Sequence, residues 1–270
     1  MLDLAGIALQ GVSEGGYETC IEVPGWGMAL DIGRCPKTAV HRQKVLFTHA
    51  HMDHMGGIAF HAATRGLYGL EPPTYYVPRE CVGAVEEFLH AARRLDRSRL
   101  ACEIIGVSPG DELPLKKGLT IKPFRSVHVV PTIGYSIWEK RKKLKAEFQG
   151  RPGEELARLR RDGVEITESH DFPLLAFTGD SRIEVVEREE VVRKAKVLIM
   201  EATFVDDRVT VDQCRSKGHI HLDEIAARAE LFENRAILLT HFSGRYEASE
   251  IRAAMEGLPE GLRERVTPLL

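Results

Sequence analysis

Apolar and polar residues form short blocks along the first third of the chain, and glycine-containing turns separate the blocks. Runs of this length predict β-strands at residues 6–9, 17–23, 27–33 and 44–48. The last of these runs, KVLFT, ends at a histidine-rich loop, and Gly56 and Gly57 then precede a predicted helix through His61 and Arg65. Side chains capable of chemistry therefore follow directly after a strand.

The rest of the chain alternates between predicted helices and strands. Apolar residues at helical spacing predict an amphipathic helix within residues 84–100, after a short strand at 74–77. Further strands are expected at 118–128, 133–138, 174–180, 196–201 and 236–241, and further helices at 222–232 and 249–255. This order predicts an α/β fold with two sheets and helices outside them. No linker, low-complexity segment or fixed repeat divides the chain, so we expect one domain over residues 1–270.

Composition narrows the class of protein. With 270 residues, 43% hydrophobic and 29% charged, the chain is typical of a soluble globular protein and unlike collagen, a coiled coil or a disordered chain. No stretch approaches the roughly 20 apolar residues of a membrane span, and no basic leader precedes an apolar run, so we expect a cytoplasmic protein. The net charge of −3 argues against nucleic-acid binding through bulk positive charge. Five widely spaced cysteines without a CxxC pair predict free thiols.

The loop after the fourth strand is unusually rich in metal-ligand residue types. Within six positions it contains His49, His51, Asp53 and His54. Imidazole nitrogen and carboxylate oxygen are ligands of Zn²⁺, and alternate residues of an extended loop can converge on one point. A polar surface loop is the alternative, but the density of histidines favours a metal site.

Three further donors follow apolar runs elsewhere in the chain. His128 ends LTIKPFRSVH, Asp180 ends LLAFTGD and His241 ends AILLTH, so a buried strand would deliver each of them to a common edge. A lone histidine after a strand is usually an ordinary core or surface residue. Together with the loop, however, these ends complete the ligand inventory of a pair of metal ions.

These residues resemble the metal-binding pattern of the metallo-β-lactamase superfamily, whose HxHxDH motif corresponds to His49 through His54. FTHAHMDHMGG, FTGDS, EATF, Gly218-His219 and LTHFSGRY also occur in the order typical of the ribonuclease Z family. Similarity to its short plant form extends to DIGRCP, ATRGLYG and GHIH, and covers nearly the whole chain. The resemblance implies two mixed β-sheets flanked by helices (an αββα sandwich) and endonucleolytic processing of tRNA 3′ ends.

The resemblance also implies roles for individual residues. It assigns one zinc ion to His49, His51 and His128, a second to Asp53, His54 and His241, and a bridging position to Asp180. Two such cations activate a water and stabilise a phosphoryl displacement. In the family Asp53 would orient this nucleophile, and His219 paired with Glu201 would protonate the leaving oxygen. The family's His-Ser-Thr reads His219-Ile220-His221 here, so His221 either contacts phosphate or begins the helix at Leu222.

A basic arm lies at about residues 139–163, between the predicted metal ligands His128 and Asp180. Residues 139–162 contain nine basic and five acidic side chains, a local charge of +4. The segment is expected to form two short helical pieces around Gly150–Gly153. Its position agrees with the RNA-gripping arm of the family, although a solvated charged hairpin is the alternative. The predicted RNA contacts are Lys140, Arg141, Lys142, Lys143, Arg158, Arg160 and Arg161.

Three functions are consistent with these features. The first is a zinc-dependent endoribonuclease that removes the 3′ trailer from precursor tRNA and leaves a tRNA 3′-hydroxyl. The second keeps the metals but hydrolyses a small ester, and the short arm favours it. The third is an RNA-binding scaffold with structural metals. A homodimer is expected from the family resemblance alone.

Overall fold

Two β-sheets make up the centre of the molecule in the computed structural model, which describes residues 1–270. Elements are numbered in chain order. The first sheet runs β1 to β7, with β14 beside β2. Its strands are β1 Leu2–Leu4, β2 Ile7–Gly15, β3 Glu18–Val23, β4 Met28–Leu30, β5 Lys44–Leu46, β6 Thr74–Pro78, β7 Glu103–Val107 and β14 Phe242–Ser243.

The second sheet has the order β15-β13-β12-β11-β10-β9-β8. Its strands are β8 Leu113–Lys116, β9 Leu119–Arg125, β10 Ile133–Leu144, β11 Thr167–Phe177, β12 Val197–Glu201, β13 Ala236–Thr240 and β15 Val266–Pro268. Strands β8 to β11 pair antiparallel, whereas β11, β12, β13 and β15 pair parallel. In the first sheet, β1 to β4 pair antiparallel and β4 to β7 pair parallel. Both sheets are therefore mixed, and the parallel strands of each end at a common edge.

Alternation along the strands sends side chains to two different cores. In β12, Val197 and Ile199 join a cluster that contains residues of both sheets, while Leu198 and Met200 pack with the helices outside the second sheet. In β6, Tyr76 faces the core between the sheets, whereas Tyr75 packs in the cluster outside the first sheet. The result is the predicted sandwich of two sheets between helical layers.

The helices lie on the two outer faces. Cluster residues of α2 and α3 cover the first sheet, and those of α5 to α10 cover the second. The helices are α1 Met52–Met55, α2 Ile58–Leu67, α3 Val82–Asp96, α4 Gly153–Arg161, α5 Glu184–Arg188, α6 Glu190–Lys194, α7 Val211–Ser216, α8 Leu222–Ala226, α9 Ala248–Met255 and α10 Glu260–Arg263. None combines the length and apolar character needed to cross a bilayer.

The basic arm differs from the sequence prediction. Lys140–Lys143 form the outer end of β10, paired with residues 168–171 of β11, and are not helical. The α-helix of the arm is α4, in its second half, and the first half contains only a short 3-10 turn at Ala146–Phe148. Lysine and arginine have high intrinsic helix propensity. Here, however, strand pairing between β10 and β11 in a long hairpin outweighs that propensity.

Candidate metal centre

Seven side chains that follow strand ends meet at one edge of the two sheets. His49, His51, His54 and Asp53 lie in the loop and short helix α1 that follow β5, while His128, Asp180 and His241 follow β9, β11 and β13. One ligand atom from each of His49, His51, His128 and Asp180 lies within 4.8 Å of the others, and Asp53, His54 and His241 form a second such group. The sequence-predicted ligands are thus assembled into two adjacent groups.

Asp180 lies between the two groups. Its Oδ2 is 3.8 Å from His49 Nε2 and 3.3 Å from His241 Nε2, and its Oδ1 is 3.3 Å from His54 Nε2. The carboxylate is 2% exposed. Burial acts to raise its pKa, but the neighbouring imidazoles of His241 and His54 outweigh burial and hold the pKa well below its usual value. Asp180 therefore offers one anionic carboxylate to both groups.

Hydrogen bonds behind the cluster fix which ring nitrogen is free in His54 and His128. His54 Nδ1 donates to Asp31 Oδ2 at 2.8 Å, and His128 Nδ1 donates to the Gly218 carbonyl at 2.9 Å. His128 Nε2 is consequently a buried nitrogen with no hydrogen-bond partner in the protein. An unpaired buried lone pair is costly unless something binds it. Outer partners that set the tautomer in this way are typical of metal-ligating histidines.

Two threonines extend the same arrangement. The Thr48 hydroxyl donates to Asp31 Oδ2 and so accepts from His49 Nδ1 at 3.0 Å. The Thr203 hydroxyl donates to Glu201 Oε2 and accepts from His241 Nδ1 at 3.0 Å. In both cases Nδ1 carries the hydrogen and Nε2 presents its lone pair to the cluster. Imidazole nitrogens and carboxylate oxygens in this arrangement fit zinc.

Burial keeps most of these imidazoles in the neutral form that binds metal. Burial lowers the pKa of His49, His51 and His128. His54 is different: burial acts to lower its pKa, but the carboxylates of Asp180 and Asp31 raise it well above the usual value. In the absence of a cation, His54 therefore carries a second proton on Nε2 in addition to the one on Nδ1, and metal binding would displace the Nε2 proton.

The backbone around the cluster adopts conformations that most residues avoid. Asp31 and His241 have φ of 55° and 61°, in the left-handed region. Gly179 has φ of 59°, and a Cβ there would lie 2.6 Å from Thr48. Strained residues of this kind persist where the surrounding structure holds them, commonly at functional sites. Here the left-handed backbone conformation directs the side chains of Asp31 and His241 toward the cluster.

His219 and Glu201 form a separate pair beside the cluster. His219 Nδ1 is 3.1 Å from both carboxylate oxygens of Glu201, which is 1% exposed and also accepts from the backbone of Ser181 and Ile220. Burial acts to lower the pKa of His219, but the Glu201 carboxylate raises it to about 9. His219 Nδ1 is 4.0 Å from Asp180 Oδ2, yet it carries the hydrogen donated to Glu201 and is not available as a ligand.

His221 begins helix α8. Its Nδ1 accepts from the Asp223 backbone N–H and its Nε2 donates to the Asp206 carbonyl, while Glu224 completes a capping box. The ring is 1% exposed. Both nitrogens are used within the fold, so the helix-start interpretation holds and the phosphate-contact interpretation is wrong.

The roles of Asp31, Thr48 and Thr203 were not predicted from the sequence. Each is a single polar residue next to an apolar run, a pattern shared with many structural residues. The one sequence feature that could have indicated such a role is the position of Asp31, an acidic residue at the end of the apolar run GMAL. The predicted arm residues lie outside the cluster, in β10 and α4.

Two mixed sheets between helices, with a histidine–aspartate cluster at the strand ends, define the class of metallo-β-lactamase-fold proteins. The family model described as "Beta-lactamase superfamily domain" matches residues 24–242. The chain is 44% identical to tRNase Z TRZ1 of Arabidopsis thaliana, over 99% of this chain and 96% of that protein. It is 38% identical to the chloroplastic tRNase Z TRZ2 of the same plant, over 99% and 76%. The chain therefore belongs to the tRNase Z family of the β-lactamase superfamily.

The fold agrees with a solved structure at much lower identity. Human tRNase Z, short form (ELAC1), superposes with a TM-score of 0.62 at 19% identity, covering 96% of this chain and 95% of that chain. This similarity confirms the fold predicted from the sequence.

Proposed function

We propose that the protein is a zinc-dependent endoribonuclease that removes the 3′ trailer from precursor tRNA. The relatives that match along the whole chain are named tRNase Z. The observation that carries the proposal is the pairing of His219 and Glu201 beside seven metal-ligand side chains, because this arrangement supplies both a cation site and a proton donor.

The residues suit two cations that share Asp180. His49, His51 and His128 would hold one, and Asp53, His54 and His241 the other. When bound, such a pair would lower the pKa of a water and neutralise charge on the phosphoryl oxygens. Asp53 Oδ2 is 3.5 Å from His241 Nε2 and accepts from Gly16 N, so the backbone fixes the carboxylate that would orient the attacking water.

His219 would donate the proton that the departing ribose 3′ oxygen requires. With a pKa of about 9 the ring is cationic at neutral pH. Glu201 holds Nδ1, while Nε2 makes no hydrogen bond within the protein and 17% of the side chain is exposed. The Nε2 proton is therefore the one available to the leaving group.

The basic arm is the proposed grip on the RNA backbone. All seven predicted contact residues are exposed. Arg141 pairs with Glu139, and Arg158 lies 3.7 Å from Asp162. The other five form no ion pair and are free to contact phosphates: Lys140, Lys142, Lys143, Arg160 and Arg161. Backbone contacts by cations are salt-dependent and independent of base sequence, which suits an enzyme that acts on many tRNAs.

A cleavage assay tests this function. Purified, zinc-loaded protein should cut a precursor tRNA after the discriminator nucleotide and leave a 3′-hydroxyl. Replacing Lys140, Lys142 and Lys143 with glutamine should raise KM for the precursor and flatten its salt dependence, while hydrolysis of a small phosphodiester stays unchanged. A protein that hydrolyses the small phosphodiester but never the precursor would favour the small-ester alternative. RNA binding without cleavage of either substrate would favour the scaffold.

A homodimer is part of the proposal. Phe60 and Leu67 of α2 are 60% and 82% exposed, and they border a groove of about 610 Å³ beside Leu70 and Leu100. Exposed apolar surface of this kind is common at subunit contacts. Leu67→Glu should convert a dimer to a monomer in light scattering coupled to size exclusion. A wild-type protein that elutes as a monomer at micromolar concentration would refute the dimer.

A further inference from the structure

The hairpin between β2 and β3 reaches over the metal-ligand cluster. Its Gly16 N–H donates to Asp53 Oδ2 at 3.0 Å, and a Cβ on Gly15 would lie 3.3 Å from the His241 ring. The short strand β14, which follows His241 directly, pairs with Glu14 and Gly15. The tip of the hairpin is therefore fixed by backbone contacts on two sides of the cluster.

Tyr17 follows Gly16 at this tip and is unusually open for an aromatic residue. It is 55% exposed. The Arg34 guanidinium lies over its ring, with the Arg34 Cζ 4.2 Å from the ring centroid. These two side chains form the Tyr17–Arg34 stack.

Arg34 reaches the same place from a different segment. Gly33, the residue before it, packs so closely on Asp53 that a Cβ would lie 1.9 Å from the Asp53 carbonyl oxygen. The Arg34 backbone N–H donates to Glu18, but the guanidinium forms no ion pair and no hydrogen bond. Both members of the stack thus follow a glycine that touches Asp53.

We propose that the Tyr17–Arg34 stack is a nucleotide-binding subsite. In this subsite a nucleobase next to the scissile phosphate packs against the exposed face of the Tyr17–Arg34 stack, and Arg34 donates to a backbone phosphate. An aromatic ring and a guanidinium plane are the surfaces on which proteins stack single-stranded bases. Five unpaired N–H donors on Arg34 match phosphate oxygens. The proposal rests on the proposed function, since it requires an RNA substrate.

The subsite also gives the enzyme a means to position the RNA independently of the arm. The arm would hold the substrate through phosphates, whereas a stacked base next to Asp53 would fix the register of the chain at the cluster. Stacking accepts any base, so the subsite would add affinity and alignment without sequence preference.

Tyr17→Ala is the direct test, with Tyr17→Phe as the matched control that keeps the ring. On precursor RNA we expect Tyr17→Ala to lower kcat/KM about tenfold, the usual effect of losing one base stack, and Tyr17→Phe to stay within about twofold. Arg34→Ala should also lower kcat/KM, and Arg34→Lys should restore only part of it. Zinc content and thermal unfolding should be unchanged in all four variants.

Substrates that lack one base separate stacking from hairpin stability. Two modified precursors each carry one abasic residue. In the first it lies just 5′ of the cut, and in the second it lies just 3′ of the cut. The penalty of Tyr17→Ala should disappear on one of them and persist on the other. An equal penalty on both abasic substrates and on the normal precursor would overturn the proposal, and so would the absence of any penalty.

A binding measurement keeps this proposal separate from the proposed function. If the wild-type protein cuts no precursor, the proposed function fails. Fluorescence of a short single-stranded RNA with 2-aminopurine then decides the subsite. Quenching by wild-type protein but not by Tyr17→Ala supports stacking, and equal fluorescence with both proteins contradicts it.

Discussion

Asp31→Asn tests how strongly the hydrogen bonds behind the cluster govern metal binding. Asp31 is fully buried and accepts from Thr48 N at 2.8 Å, from Thr48 Oγ1 at 2.9 Å and from His54 Nδ1 at 2.8 Å. Asparagine keeps the size of the side chain and tolerates the left-handed φ of 55°. The substitution therefore changes mainly the pattern of donors and acceptors.

The consequence for the ligands follows from that pattern. Oδ1 of the asparagine would still accept from Thr48 N–H, but its NH₂ group would replace the oxygen that accepts from His54 Nδ1. The amide would then donate to Nδ1, and the His54 hydrogen would move to Nε2, the nitrogen that faces Asp180 and His241. In this neutral tautomer Nε2 has no lone pair to offer a metal. Loss of such an outer partner typically costs 10–100-fold in metal affinity, or about 1.4–2.7 kcal/mol.

Zinc titration of chelator-stripped protein against a competing chromogenic chelator measures this change. Glu22→Gln is the matched control, because Glu22 is 1% exposed, accepts from Gln10, Thr38 and Arg42, and lies outside the ligand groups. We expect it to affect unfolding without changing zinc affinity. Wild-type zinc affinity in Asp31→Asn, or an equal loss in Glu22→Gln, would show that the hydrogen bonds of Asp31 do not govern zinc binding.

Three further predictions concern the cluster and the proton donor. His219→Ala should lower kcat on precursor tRNA by about 10²–10⁴-fold while zinc content, measured by emission spectrometry, is retained; loss of zinc would contradict a pure proton-donor role. Because the pKa of His219 is about 9, wild-type activity should decline as the pH rises through about 9 and the ring loses its proton, and a rate still rising at pH 10 would argue against the assignment. Asp180→Ala should bind neither cation. Its Tm should be the same with or without zinc, whereas zinc should raise the Tm of the metal-stripped wild-type protein. A variant that keeps both ions would disprove the shared carboxylate.

The sequence predicted the layers of the fold because its signals are strong there. Apolar runs such as 196–201 and 236–241 closely match β12 and β13, and the polar residues that follow them meet because parallel strands end at one edge. The seven side chains come together for the same reason. Their assignment to particular metal ions came from the family resemblance and stays a prediction.

What the sequence did not predict depends on pairing between distant segments. Residues 140–143 have the composition of a helix, yet they extend β10 because residues 168–171 pair with them. Asp31 and Thr203 become important only through hydrogen bonds to His54, Glu201 and His241, which no local pattern records. The Tyr17–Arg34 stack likewise joins residues that the sequence places in separate turns.

Anomalous X-ray diffraction at the zinc absorption edge, from crystals of the zinc-loaded protein, shows directly whether two cations share the Asp180 carboxylate. We expect two anomalous peaks flanking the Asp180 carboxylate, one beside His49, His51 and His128 and the other beside Asp53, His54 and His241. Zinc bound elsewhere, or no anomalous density at Asp180, would contradict this expectation.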